Sequence, residues 1–120
     1  MYKFPVIELV DRYCIAKLKF AKLGNNKEEL DFYTDQLHDI DFKLIQVELD
    51  RLYEVHQQVW EVEDEFKKYK VETKYDLEEI GRRALYVRDI MAERYVLKNV
   101  MAEKLNDPVR EKKKYGDFTV

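Results

Sequence analysis

Carboxylates set three apart are the side chains in this 120-residue chain whose spacing most readily suggests chemistry. Glu8 with Asp11, and Glu61 with Asp64, each follow the pattern Glu-x-x-Asp. On a helix residues three apart share a face, so each pair offers hard oxygen ligands to one Mg²⁺. If the first and third helices lay side by side, the four carboxylates of Glu8, Asp11, Glu61 and Asp64 would converge. Glu28 and Asp31 repeat the pattern, as an acidic chain does readily, and Glu61 and Asp64 point away from the apolar arc of their helix. A second constellation is basic. Arg83, Arg94 and Lys98 lie within or beside the apolar stripe of the last helix, and Glu48, Glu63 and His56 lie in or at the edge of the stripe before it. An unpaired buried charge costs several kcal/mol, so these groups need partners. One solution pairs the acids of the third helix with the bases of the fourth, which sets register. The other is an inter-helix pocket for an anion, built on the planar donor forks of Arg83 and Arg94 with Lys98, and flanked by Glu63 and Trp60.

Other chemistry is mostly excluded. The single cysteine, Cys14, allows neither an internal disulfide nor a multi-Cys metal site, and it falls on an apolar helical face as a core residue. His38 and His56 are the only histidines, and neither completes a Glu-x-x-His ligand pair. No Gly-rich phosphate loop occurs. Trp60 reads as a packing anchor, and most tyrosines fall at core spacing rather than as a stacking surface for bases. The net charge of −3 gives no indication of nucleic acid. No apolar run has the length of a membrane span, and Glu8, Asp11 and Arg12 interrupt any signal-peptide core, so a cytoplasmic protein is expected.

The elements that must position these residues are helices. From Asn25 to Asp107 there is no proline, and strands joined by hairpins would need turn residues every few positions. The first helix is expected from Pro5 to Leu23, with Pro5 in its first turn and Gly24 as its stop. Its apolar residues cover two sides: Ile7, Val10, Cys14, Leu18 and Ala21 on one, Leu9, Tyr13, Ala16, Phe20 and Leu23 on the other. Its polar strip, Glu8, Asp11, Arg12, Lys19 and Lys22 around Ile15, reads as a solvated face. Asn26 and Glu29 have capping-box spacing for the second helix, whose stripe is Leu30, Tyr33, Leu37 and Ile40. The stripe then shifts register near Asp39–Asp41, through either a break or a skip in one long helix, and a break is favoured. It resumes as Ile45, Leu49, Leu52, Val59, Val62, Phe66 and Tyr69. The last helix starts from Asp76 as N-cap with Glu79 at N3 and a Tyr75–Ile80 staple. It runs to about Leu105, before Asp107-Pro108, with a stripe of Leu77, Ile80, Ala84, Val87, Met91 and Tyr95.

Two resemblances bear on function. The paired carboxylates resemble the metal site of the all-α nucleotide pyrophosphohydrolases, which implies Mg²⁺ and a phosphate substrate. More of the chain is covered by a second pattern. Glu8-Leu9-Val10-Asp11-Arg12 with Lys19, then Trp60 with Glu63-Asp64, then Glu93-Arg94 with Lys98, follow in order. That order resembles a small uncharacterised helical family of bacteria and phages, with Glu-Leu-Ile-Asp-Lys, Trp-x-Ile-Glu-Asp and Arg-x-x-x-Lys segments. The resemblance spans about Pro5 to Leu105 and implies special roles for Glu8, Asp11, Lys19, Trp60, Glu63, Asp64, Arg94 and Lys98. An Asn-Asp pair of that pattern is Met91-Ala92 here.

The expected architecture is all-α: an antiparallel four-helix bundle over residues 1–106, with a long hairpin of the last two helices and the first two packed against it. A basic tail, 107–120, follows, either frayed or docking on a partner through Tyr115 and Phe118. The wide apolar arc of the first helix implies a homodimer, or another protein partner met through that helix or the tail. The leading functional expectation is a non-catalytic assembly or binding module working through helix faces, without a cofactor. The alternatives are an Mg²⁺-dependent phosphohydrolase and a binder of a small anion.

Overall fold

The computed structural model describes residues 5–68 and 77–107. They form four helices, α1 (Val6–Leu23), α2 (Lys27–Gln36), α3 (Gln46–Lys68) and α4 (Leu77–Lys104), with a 3-10 turn at Phe42–Ile45 leading into α3. There is no strand among the described residues, and no helix is long and apolar enough to cross a membrane. The all-α bundle expected from the sequence is present. The expected cap and staple at Asp76 and Tyr75, the core positions Phe66, Tyr69 and Leu77, and the tail with Arg110, Lys112, Lys113, Lys114, Tyr115 and Phe118 lie outside the residues and side chains described.

α3 and α4 form the long antiparallel hairpin. Glu48 near the start of α3 pairs with Lys104 at the end of α4, and Glu65 near the end of α3 pairs with Arg83 near the start of α4. α1 lies against both helices, and the core forms where the three meet. Ile7, Val10 and Cys14 of α1 pack with Leu49 and Leu52 of α3 and Met101 and Ala102 of α4. Leu37 and Ile45, on either side of the link between α2 and α3, close this cluster. The break expected near Asp39–Asp41 is therefore real, and burial of the linker's apolar ends fixes it. Asp41 starts the new element by accepting the Lys43 N–H at 3.1 Å.

α2 departs from expectation. It has no buried residue, and its backbone approaches α1 and no other helix among the described residues. It was expected against the hairpin. The helix stops at Gln36, so only Leu37 and Ile40, the end of its stripe, reach the core. The capping box of Asn26 and Glu29 does not form either. The Asn26 amide donates instead to the Ala16 carbonyl at 2.9 Å, and Glu29 pairs with Lys19 at 3.5 Å. Folding straight back on α1 brings both side chains to that helix before they can close on their own backbone. The Gly24 stop is as expected: with φ at +68° it takes the left-handed region that favours glycine, and its N–H reaches Phe20 O.

Two apolar stripes are also revised. On α1 the arc is covered over its first three turns, but Phe20 is 40% and Leu23 59% exposed. On α4 the buried face is Ile90, Lys98, Met101 and Ala102, while Ala84 is exposed and Met91 and Tyr95 are half-buried. Ile90, Arg94, Lys98 and Met101 recur at helical spacing on one side. The helix is rotated to present two basic residues to α1.

The start of α1 and the turn after α4 are tied to each other. α4 closes in a paired turn: Asn106 has φ +57°, its N–H reaches Glu103 O, and the Asp107 N–H reaches Ala102 O at 2.8 Å. That turn aims the buried Asp107 carboxylate at the start of α1, where Oδ2 accepts the Ile7 N–H at 3.0 Å. Pro5, the N-cap residue of α1, has no side-chain acceptor of its own, so the cap comes from the far end of the fold. Replacing Asp107 with Ala is expected to destabilise the protein by about 1–2 kcal/mol in urea denaturation. It should also speed amide exchange at Ile7; an unchanged midpoint and exchange rate would contradict this cap.

Candidate functional site

The charged side chains that the sequence singles out meet at the crossing of α1, α3 and α4. Asp11 is 2% exposed there, on the side of α1 that was expected to be solvated. Arg94 grips it with a forked pair of bonds, Nη2 to Oδ2 at 2.6 Å and Nε to Oδ1 at 3.2 Å. His56 of α3 donates from Nε2 to Oδ1 at 2.8 Å, which places the proton on that nitrogen, because a carboxylate only accepts. One turn along α4, the 1% exposed Lys98 donates to Glu8 Oε1 at 2.7 Å and stands 4.0 Å from Asp11 Oδ2. Two carboxylates three apart on α1 thus meet two bases four apart on α4, with a histidine from α3 completing the set.

Burial alone would raise the Asp11 pKa. Hydrogen bonds from His56 and Arg94, with the charge of the guanidinium, overcome that and hold the carboxyl far below the usual carboxylate range. One turn on, Cys14 lies under the same helix face. Its thiol is pushed up to about 12, mostly by burial and then by the Asp11 carboxylate, so it stays a protonated core group. The chain has no serine, and the nearest thiol is thus no nucleophile.

The expected sites are divided by the fold. Glu8 and Asp11 meet Arg94 and Lys98, not Glu61 and Asp64, which are exposed on α3. Among the described residues no three His, Cys, Asp or Glu side chains gather in a way that could hold a metal ion. Arg83 does not join Arg94 and Lys98: it lies eleven residues earlier on α4, about 16 Å along the axis, and pairs with Glu79 and Glu65. Glu63 is exposed and Trp60 half-buried on α3. The expected pairing of Glu48 and Glu63 with Arg83, Arg94 and Lys98 does not form: Glu48 pairs with Lys104 and Arg83 with Glu65, and Arg94 and Lys98 turn to α1 instead. The hydrogen bond from Lys104 holds Glu48 below the usual carboxylate range, and Glu48 Oε2 is buried with no partner among the described residues.

Three participants escape a reading by helical wheel. Asp107 caps from a position beyond its helix, and Arg51 grips Glu93 of α4, with Nη2 to Oε1 at 2.8 Å. The third is Asp11 as the buried acceptor. A signal for it was present in Ile15, an apolar residue set in the middle of the supposedly solvated strip.

Compared with models of protein families, with curated proteins and with solved structures, the chain finds no match in any of the three.

Removing the negative charge at the centre takes from the buried Arg94 the carboxylate that its fork grips, while Lys98 keeps Glu8. Asp11→Asn is therefore expected to destabilise the fold by about 3–5 kcal/mol in chemical denaturation. A carboxyl with a folded pKa below its unfolded value contributes stability that is complete above about pH 4 and lost as pH falls through and below it. The wild type should lose stability over that acid range, and the variant should show a shallower acid limb. Equal slopes in the two proteins would contradict the assignment.

Proposed function

We propose that the protein is a non-catalytic assembly module of the cytoplasm, and that a second copy of this chain is its first partner. One observation carries this reading: α2 has no buried residue and leans only on α1 among the described residues. A ten-residue helix has little stability of its own, and amphipathic packing is what holds such a helix. Here Phe32 of α2 is 57% exposed, and Leu23 and Phe20 are exposed at the end of α1 beside it in the chain. Covering these side chains with another chain stabilises the packing of α2 on α1. The charges suit self-association: beyond the Glu29–Lys19 pair within the chain, α2 carries Glu28, Asp31 and Asp35 against Lys27, while Lys22 stands on α1. A two-fold pairing sets the acidic helix of each copy near the basic end of its partner.

The interior supports the same reading. Glu8 and Asp11, wanted by a hydrolase, and Arg94 and Lys98, wanted by an anion site, are engaged with one another at the crossing, while Glu61, Asp64 and Arg83 lie apart from it. Four positions of the bacterial and phage helical pattern, Glu8, Asp11, Arg94 and Lys98, belong to that crossing. The pattern then describes how α1 is seated rather than a reaction.

Sedimentation equilibrium over a range of concentrations is expected to give a species of twice the 14.6 kDa chain mass. Phe32→Glu is expected to shift it toward the monomer with helical content unchanged. A single 14.6 kDa species at every concentration would overturn the proposal.

A further inference from the structure

Away from the buried crossing, a cleft of about 340 Å³ opens between α1 and α3. Tyr13, Cys14 and Lys17 line it from α1, and Leu49, Asp50, Tyr53 and Glu54 from α3. Its volume lies in the range that receives small organic molecules. The cleft is graded from dry to wet: Cys14 and Leu49 are buried, Tyr13 and Tyr53 half-buried, and Lys17, Asp50 and Glu54 exposed. One wall is braced, because the Tyr13 ring packs on Phe42 with centroids 5.6 Å apart.

The charge of the rim selects the kind of guest. Asp50 and Glu54 are four apart on α3 and so face the same way. Asp50 accepts one hydrogen bond from the neutral Gln46 amide at 2.7 Å, and Glu54 is ion-paired with Arg51 at 2.8 Å; each carboxylate can accept several more bonds. Against these two acids the lining offers one base. The Lys17 ammonium already stands 5.7 Å from the centroid of the Tyr53 ring, so that face attracts a cation from the protein itself. An anion would meet two carboxylates, and a neutral apolar guest would leave the rim unused.

We propose that this cleft binds a small organic ammonium ion. The guest takes the place of the Lys17 ammonium on the Tyr53 face, lays its carbon groups against Tyr13 and Leu49, and turns its charge toward Asp50 and Glu54. Lys17 is exposed on a flexible stem and swings outward to admit it. This goes beyond the assembly reading and stands apart from it, because the titration below follows the α1–α3 cleft at one fixed protein concentration whether the chain is monomer or dimer.

The test is an amide NMR titration of the full chain with choline, with butylammonium, and with 3,3-dimethylbutan-1-ol, the neutral carbon counterpart of choline. Saturable shifts at Tyr13, Cys14 and Tyr53 are expected for the two cations, with binding of the neutral alcohol several-fold weaker. Lys17→Ala removes the competing ammonium and is expected to tighten cation binding about two- to fivefold. Asp50→Asn is expected to weaken it. Both positions are exposed, so the folded spectrum should persist. Absence of saturable shifts at these residues for both cations, in the wild type and in Lys17→Ala, would overturn the proposal. So would equal affinity for choline and its neutral counterpart.

Discussion

Asp11 has two oxygens and three neighbours that need them. Arg94 and His56 donate to it directly and Lys98 stands behind, so a carboxylate that is 2% exposed joins α1, α3 and α4 at one point. The apolar contacts around this point are not selective. Apolar contact is non-directional, so Ile7, Val10, Leu49, Leu52 and Met101 would tolerate a small slide of α1 better than the charges do. The ion cluster would not survive that shift, because the forked bond of Arg94 has a fixed geometry. Seating of α1 therefore depends on Asp11, and the cap by Asp107 depends in turn on where α1 begins.

The cluster is better understood as a specifier than as a source of net stability. Drawing two carboxylates and two bases out of water costs several kcal/mol per ion, and their mutual attraction recovers this only with good geometry. The geometry here is good at Asp11 and looser at Glu8, whose side chain remains 32% exposed. An apolar substitute of matched volume would hold the helices together with less regard for register. What the charges add is one arrangement in place of several, and with it a defined outer surface. That surface includes α2 and the α1–α3 cleft, so both features are consequences of how α1 is fixed inside.

Much of this was legible in the sequence. The proline-free stretch and helical periodicity give the helices, the register shift gives the break before α3, and Arg94 and Lys98 stand out as bases on a buried face. Their partners were hidden for a physical reason. A wheel orders residues within one helix and says nothing of which neighbour it meets. α1 is apolar on two sides, so its polar strip between them could face water or a neighbour equally well. Only packing decides, and Ile15 was the sole hint. Asp107 was hidden in another way: its role arises from a left-handed turn at Asn106, outside any periodic pattern. The expected Asn26 cap failed because tertiary contact with α1 competed with local closure.

The central claim is that Asp11 and Arg94 act as one unit in seating α1. A double-mutant cycle measures this directly, with Asp11→Asn and Arg94→Gln made singly and together and their stabilities read by urea denaturation. Residues in one buried network couple, and a coupling of about 2 kcal/mol is expected, with the double variant far less destabilised than the sum of the singles. Additive effects, with coupling near zero, would mean that α1 is held by its apolar face alone and would contradict the account.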